Sequence, residues 1–109
     1  MEKQEIIEGI LYFLRETAPS FDGAGYTFLQ IIEFLKLNNI WNYFEEKGDA
    51  WNNLRMLLIE MENEGLIEER HFDESLGGRV DYSIENKGLE ALNRKENLSK
   101  KMWKIPESD

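Results

Sequence analysis

Residues 65–92 read GLIEERHFDESLGGRVDYSIENKGLEAL, and this stretch decides the fold. Leu66, Glu68, Arg70 and Phe72 alternate with Ile67, Glu69 and His71, which predicts a strand over Leu66–Phe72. Val80, Tyr82 and Ile84 alternate with Asp81 and Ser83, predicting a second strand over Arg79–Ile84. Asp73–Gly78 joins the two, and the Gly77-Gly78 pair suits the positive φ of a hairpin tip. Asn86 is placed to cap a following helix that carries Leu89 and Leu92, with Leu98 and Met102 further along it.

Working back from the hairpin, Ala50–Glu64 reads as a helix with Asp49 as its cap and Gly65 as its stop. At about 100° per residue, Ala50, Trp51, Leu54, Leu57, Leu58 and Met61 form its inward face. Asn52, Asn53, Met56, Ile59, Glu60 and Asn63 lie opposite, with Arg55 on the flank. An earlier helix, TFLQIIEFLKLN, starts from Thr27 and ends near Asn38-Asn39, with Phe28, Ile31, Ile32 and Leu35 as its inward stripe. Leu29, Phe34 and Leu37 fall outside that stripe, so this helix is apolar almost all round and should be buried on more than one side. The first helix, Glu2–Thr17, gathers Ile6, Ile7, Ile10, Phe13 and Leu14 on one face, and Ala18-Pro19 ends it. Between residues 38 and 49, Trp41, Tyr43 and Phe44 crowd into a helical turn or ordered loop. The expected order is helix-helix-helix-strand-strand-helix: mainly α with a small β-hairpin (α+β).

Composition bounds the function. The chain has 109 residues, enough for one domain with a modest core, and its 41% hydrophobic content argues for a packed globule. It has no cysteine and a single histidine, His71, so a thiolate metal site and a histidine-based triad are both excluded within one chain. No cofactor is expected. The N-terminal MEKQE lacks the basic and apolar regions of a signal peptide, and no apolar run approaches the ~18 residues of a membrane span. A cytoplasmic protein without membrane contact is expected. Catalysis is not: there is no phosphate-binding glycine loop, no nucleophile elbow and no desolvated carboxylate pair.

The net charge of −9 is uneven. Residues 1–92 hold 8 Lys/Arg against 19 Asp/Glu, whereas residues 93–104 hold five bases against Glu96. So acidic a body repels a polyanion at long range. Within the hairpin, Arg70 and Arg79 face Asp73, Glu74 and Asp81.

Residues 54–92 resemble a winged-helix (winged helix-turn-helix) domain of the MarR/PadR type. Leu54, Leu57/Leu58 and Met61 followed by Glu62-x-Glu64-Gly65-Leu66-Ile67 resemble the family's "L-x-x-L-E-x-x-G-L-I". Gly78-Arg79-Val80-x-Tyr82-x-Ile84-x-x-Lys87-Gly88-x-x-x-Leu92 resembles its "G-R-x-x-Y-x-L-T-x-K-G-x-x-x-L". Three features depart from the pattern. Glu85 replaces the threonine before the last helix, the 38–49 connection is long, and Arg55 is the only base on the third helix. The resemblance implies one domain over residues 1–104, with a wing at 66–84, a terminal helix at 86–103 and a flexible tail at 105–109. It also implies a small transcriptional regulator that binds duplex DNA as a homodimer. Asn52, Asn53 and Arg55 would then read base edges, Arg79 a minor groove, and Lys100 and Lys101 the phosphate backbone.

A rival expectation comes from the same residues. Met56 and Ile59 are apolar on the face that would meet DNA, so either neighbouring elements cover them or they bind protein. Trp41, Tyr43 and Phe44 are either core filling or an anchor for a partner. Leu98, Met102 and Trp103 on the last helix serve a dimer or dock on their own domain. This rival is an acidic winged-helix interaction module, even a DNA mimic, that binds a protein and no DNA.

Overall fold

A computed structural model of the chain describes residues 2–16, 26–71, 80–96 and 103–106. Its elements run α1 (Lys3–Glu16), α2 (Phe28–Leu37), α3 (Trp41–Glu45), α4 (Ala50–Asn63), β1 (Ile67–His71), β2 (Val80–Ile84) and α5 (Asn86–Glu96). The α+β order expected from the sequence is present, with α3 as the added short helix.

Local chemistry sets most of the boundaries. Thr27 is extended and caps α2: its hydroxyl accepts from the Gln30 amide at 3.3 Å, while the Gln30 side chain accepts from the Thr27 amide at 2.8 Å. At the other end Asn39 takes a left-handed φ of 59°, and the Ile40 amide closes back on the Leu35 carbonyl at 2.8 Å. That reversal launches α3 at once, so the 38–49 connection is a compact corner. Asp49 caps α4 by accepting from the Asn52 amide at 3.2 Å, and Gly65 stops it with a φ of 79°, as expected.

The hairpin pairs Ile67 with Ile84 and Glu69 with Tyr82, then Arg70 with Asp81 and His71 with Val80. The predicted ends Phe72 and Arg79 lie outside the described residues. Tyr26, just before α2, adds a one-residue bridge to the free edge of β2, exchanging two backbone bonds of 2.9 and 2.8 Å with Tyr82. This bridge ties the entry of α2 to the hairpin. Asp81 is fully buried, and Arg70 Nε donates to its Oδ1 at 3.2 Å, the cross-strand pairing that the charge pattern suggested.

The core lies where α1, α2, α4 and α5 meet the inner face of the hairpin. Ile6, Ile10, Ile31, Leu35, Leu54, Leu58, Met61, Ile67 and Leu92 are essentially inaccessible. The apolar character of α2 is explained on two sides: Phe34 is buried and stacks on Phe13 at 4.8 Å, with Trp103 5.9 Å away. Leu29 and Leu37 stay exposed, and Phe28 is only partly covered.

Four expectations need correction. Trp51, assigned to the inward face of α4, is 56% exposed. Asn86 does not cap α5; it is the first helical residue, and the carbonyl of Glu85 accepts the opening bond from Leu89 at 3.0 Å. The predicted helix 86–103 does not reach Trp103, because residues 103–106 are irregular. Ile105, expected in a free tail, packs against the core.

Candidate interaction surface around the fourth helix

The outward face of α4 follows from its inward one. With Leu54, Leu57, Leu58 and Met61 committed to the core, Asn52, Arg55, Met56, Ile59 and Asn63 must point away from it. The carboxylates of the helix border this face, and Glu60 is exposed beside Met56 and Ile59. Glu60 pairs with Lys3 at the start of α1 at 2.7 Å, a hydrogen bond that raises the Lys3 pKa. On the other flank Glu62 accepts from the Glu69 amide at 2.8 Å, bracing β1. The rest of the outward face is apolar or amide-bearing, with Arg55 at its edge. Met56 is 58% exposed and Ile59 38%.

Two grooves border this ridge. The first lies among the start of α1, α3 and α4 and encloses about 470 Å³, lined by Tyr43, Phe44, Met56, Ile59, Lys3 and Lys47 among others. Tyr43 meets Phe44 edge-on at 5.3 Å, and Lys47 lies 4.2 Å over the Tyr43 ring while donating to its hydroxyl at 2.9 Å. Four of the candidate contact residues read from the sequence therefore converge here. Trp41 does not: it packs on Phe44 at 5.7 Å but faces a separate depression beside Lys36. Phe44 is buried, so the aromatic cluster is core filling with Tyr43 as its half-buried margin.

The second groove, about 490 Å³, lies between α4 and the hairpin. Phe28, Trp51 and Tyr82 form its aromatic wall, and Asp49, Glu69 and Arg55 carry its charge. Trp51 rests against Phe28 with ring centroids 5.2 Å apart. Burial, followed by the charge of Glu69 and a hydrogen bond to it, pushes the Tyr82 hydroxyl up to about 12, with Arg55 acting in the opposite sense. Sequence reading missed Trp51 as a surface residue. The available signal was its place at the edge of the inward arc, in the first turn, where a helix can project past the core.

The expected base-reading residues are divided. Asn52 and Arg55 line the second groove, whereas Asn53 turns to the first, its side-chain amide donating to the Phe44 carbonyl at 3.1 Å. Arg79, Leu98, Lys100, Lys101 and Met102 lie outside the described residues. Trp103 sits on its own domain: its ring fills the notch left by Gly9, where a Cβ would come within 2.9 Å of it. Lys104 fastens the segment, its amide donating to the Asn38 side chain and its carbonyl accepting from it, both at 2.8 Å.

Among the described residues no cluster of His, Asp and Glu could hold a metal, and no helix is long and apolar enough to cross a membrane. No protein-family model, curated protein or solved structure matches this chain.

Proposed function

We propose that this chain is a winged-helix interaction module that binds a partner protein across α4. The observation that carries the reading is the exposure of Met56 and Ile59 at the mouth of a groove that Tyr43 lines. Interface centres are depleted in charge and enriched in Tyr, Trp, Met and Arg, the composition of Tyr43, Trp51, Met56 and Arg55. A groove beside an exposed apolar ridge suits an amphipathic helix of the partner, with Met56 and Ile59 as the contacts it buries.

One observation favours the regulator reading instead. α4 and the hairpin stand side by side with Asn52 and Arg55 at their junction, an arrangement compatible with a helix in a major groove. Asp49 and Glu69 in the same groove oppose it, because each would be brought against phosphate. A homodimer, expected with that reading, would be built without Trp103.

Two measurements test the proposal. Anisotropy titration of a random duplex at low ionic strength should show no binding; tight, steeply salt-dependent binding would overturn the proposal in favour of the regulator. Affinity purification with the wild-type chain and with Met56→Glu/Ile59→Glu should recover a partner that the double variant loses.

A further inference from the structure

The second groove has a different chemistry from the first, and it points to what the partner carries. Its wall is aromatic, and Trp51 rests on Phe28 while staying exposed to solvent. Its rim has two carboxylates, Asp49 and Glu69, against the single guanidinium of Arg55, in a chain of net charge −9. Glu69 is positioned from two sides: its amide donates to the Glu62 carboxylate at 2.8 Å, and the His71 imidazole lies 3.4 Å from its own carboxylate. A carboxylate and an exposed indole lining one groove suit a planar cation, which stacks on the ring and pairs with the oxygens.

We infer that the groove between α4 and the hairpin receives an arginine of the partner protein, stacked on Trp51 and paired with Glu69, with Asp49 adding to the negative field. This rests on the protein-binding reading and adds the chemistry of the partner to it. Arg55 sets the limit of the site: its own positive charge leaves room for one further cation, not for a run of them. The occupant is thus a single arginine beside apolar residues that continue over Met56 and Ile59, not a polybasic tail.

Selection from a phage-displayed random peptide library on the intact chain provides the probe. Enriched peptides should share one arginine flanked by apolar residues. Synthetic versions should lose about tenfold or more in affinity for Trp51→Ala and for Glu69→Gln, on the scale of a buried contact residue. Trp51→Phe should restore most of the loss at the first site, and replacing the peptide arginine by lysine should weaken binding to wild type. A Glu45→Gln/Glu46→Gln control, equal or greater in charge change but away from the groove, should bind as wild type does. Circular dichroism of each variant guards against loss of fold, and Trp51 is exposed enough for its replacement to fold.

Acidic peptides, arginine peptides indifferent to Trp51→Ala, or no enrichment at all would each overturn the inference. Peptides that need Met56 but not Trp51 would overturn it while leaving the protein-binding reading in place. Duplex binding at low salt would remove that reading itself.

Discussion

Gly88 invites a test in which two physical effects oppose each other. It lies within α5, where replacing glycine by alanine normally stabilises a helix by about 1 kcal/mol. Here the added Cβ would sit 2.3 Å from the Leu66 carbonyl oxygen, 3.0 Å from Ile84 Cγ1 and 3.1 Å from Leu11 Cδ2. The first contact is with backbone and cannot be relieved by a rotamer change. That carbonyl also accepts the Glu85 amide at 3.0 Å, the bond that fastens the start of α5 to the root of the hairpin. Relief requires α5 to move outward. The move costs roughly 1–3 kcal/mol of core packing and about 1 kcal/mol for the weakened bond. Set against the helix gain, Gly88→Ala should destabilise by about 2 kcal/mol, or roughly 10 °C in Tm for a domain of this size. Urea and thermal unfolding followed by circular dichroism measure it. A variant as stable as wild type, or more so, would refute the close approach of α5 to Leu66. Gly9→Ala makes the contrast: the nearest atoms to its Cβ belong to the Trp103 ring, from 2.9 Å, and not to backbone, so the indole can shift and the loss should be smaller.

Thr27→Ala removes the hydroxyl half of the α2 capping box and should cost about 1 kcal/mol in urea unfolding, with an unchanged denaturant slope. The Glu85 carboxyl is raised above the ordinary carboxylate value by a hydrogen bond to Glu68, then by partial burial and the Glu68 charge. A group raised on folding contributes its stability below the unfolded value and loses it as pH climbs through the folded one. Glu85→Gln should accordingly stabilise the chain at neutral pH and make no difference near pH 4 (stability against pH for the two proteins shows it). Met56→Glu sits on an exposed side chain and should change stability by less than about 0.5 kcal/mol, while the partner recovered by wild type is lost; an unfolded variant would contradict the exposed position of Met56.

The parts of this fold that were legible in the sequence are those decided within a few residues. Alternation placed both strands, Thr27 and Asp49 announced their helices, and Gly65 announced a left-handed stop. Gly88 was visible in the K-G-x-x-x-L motif, but its reason, contact with a carbonyl and two core side chains, is tertiary. Helical periodicity defines one inward direction, so it marked α2 as buried on more than one side without showing what covers the second. Phe34 is buried because α1 and Trp103 cover the flank of α2 that the stripe left open. Trp51 was misjudged: it is at the edge of the arc, and its side chain rests on Phe28 outside the core. Apolar residues to Met102 suggested a helix through Trp103, yet the notch at Gly9 that receives the indole is formed by a helix at the other end of the chain. For the candidate site, Met56 and Ile59 were legible as misplaced apolar residues, and Tyr43 as an aromatic without an assigned place. That these three share one groove depends on the corner at Asn39 and Gly48, whose geometry no periodicity encodes.

Net charge alone does not choose between the two functional readings, because at physiological ionic strength charges act over about 8 Å. What decides is the local set around α4. On duplex DNA, each neutralised phosphate contributes about −0.9 to the slope of log affinity against log salt. Arg55, the outward base of α4, supplies one such contact, and Asp49 and Glu69 beside it subtract from the gain. A slope several times larger would require Arg79, Lys100 and Lys101 to do what α4 does not. A partner protein that buries Met56 and Ile59 gives the opposite dependence, since apolar contact is insensitive to moderate salt and only an arginine in the second groove is screened. Binding measured across a salt series should therefore show a shallow slope in wild type and a shallower one in Glu69→Gln. In Met56→Glu the affinity should drop by more than the slope changes. A steep slope that Glu69→Gln makes steeper would mean that the carboxylate had been repelling the ligand, and that α4 faces phosphate after all.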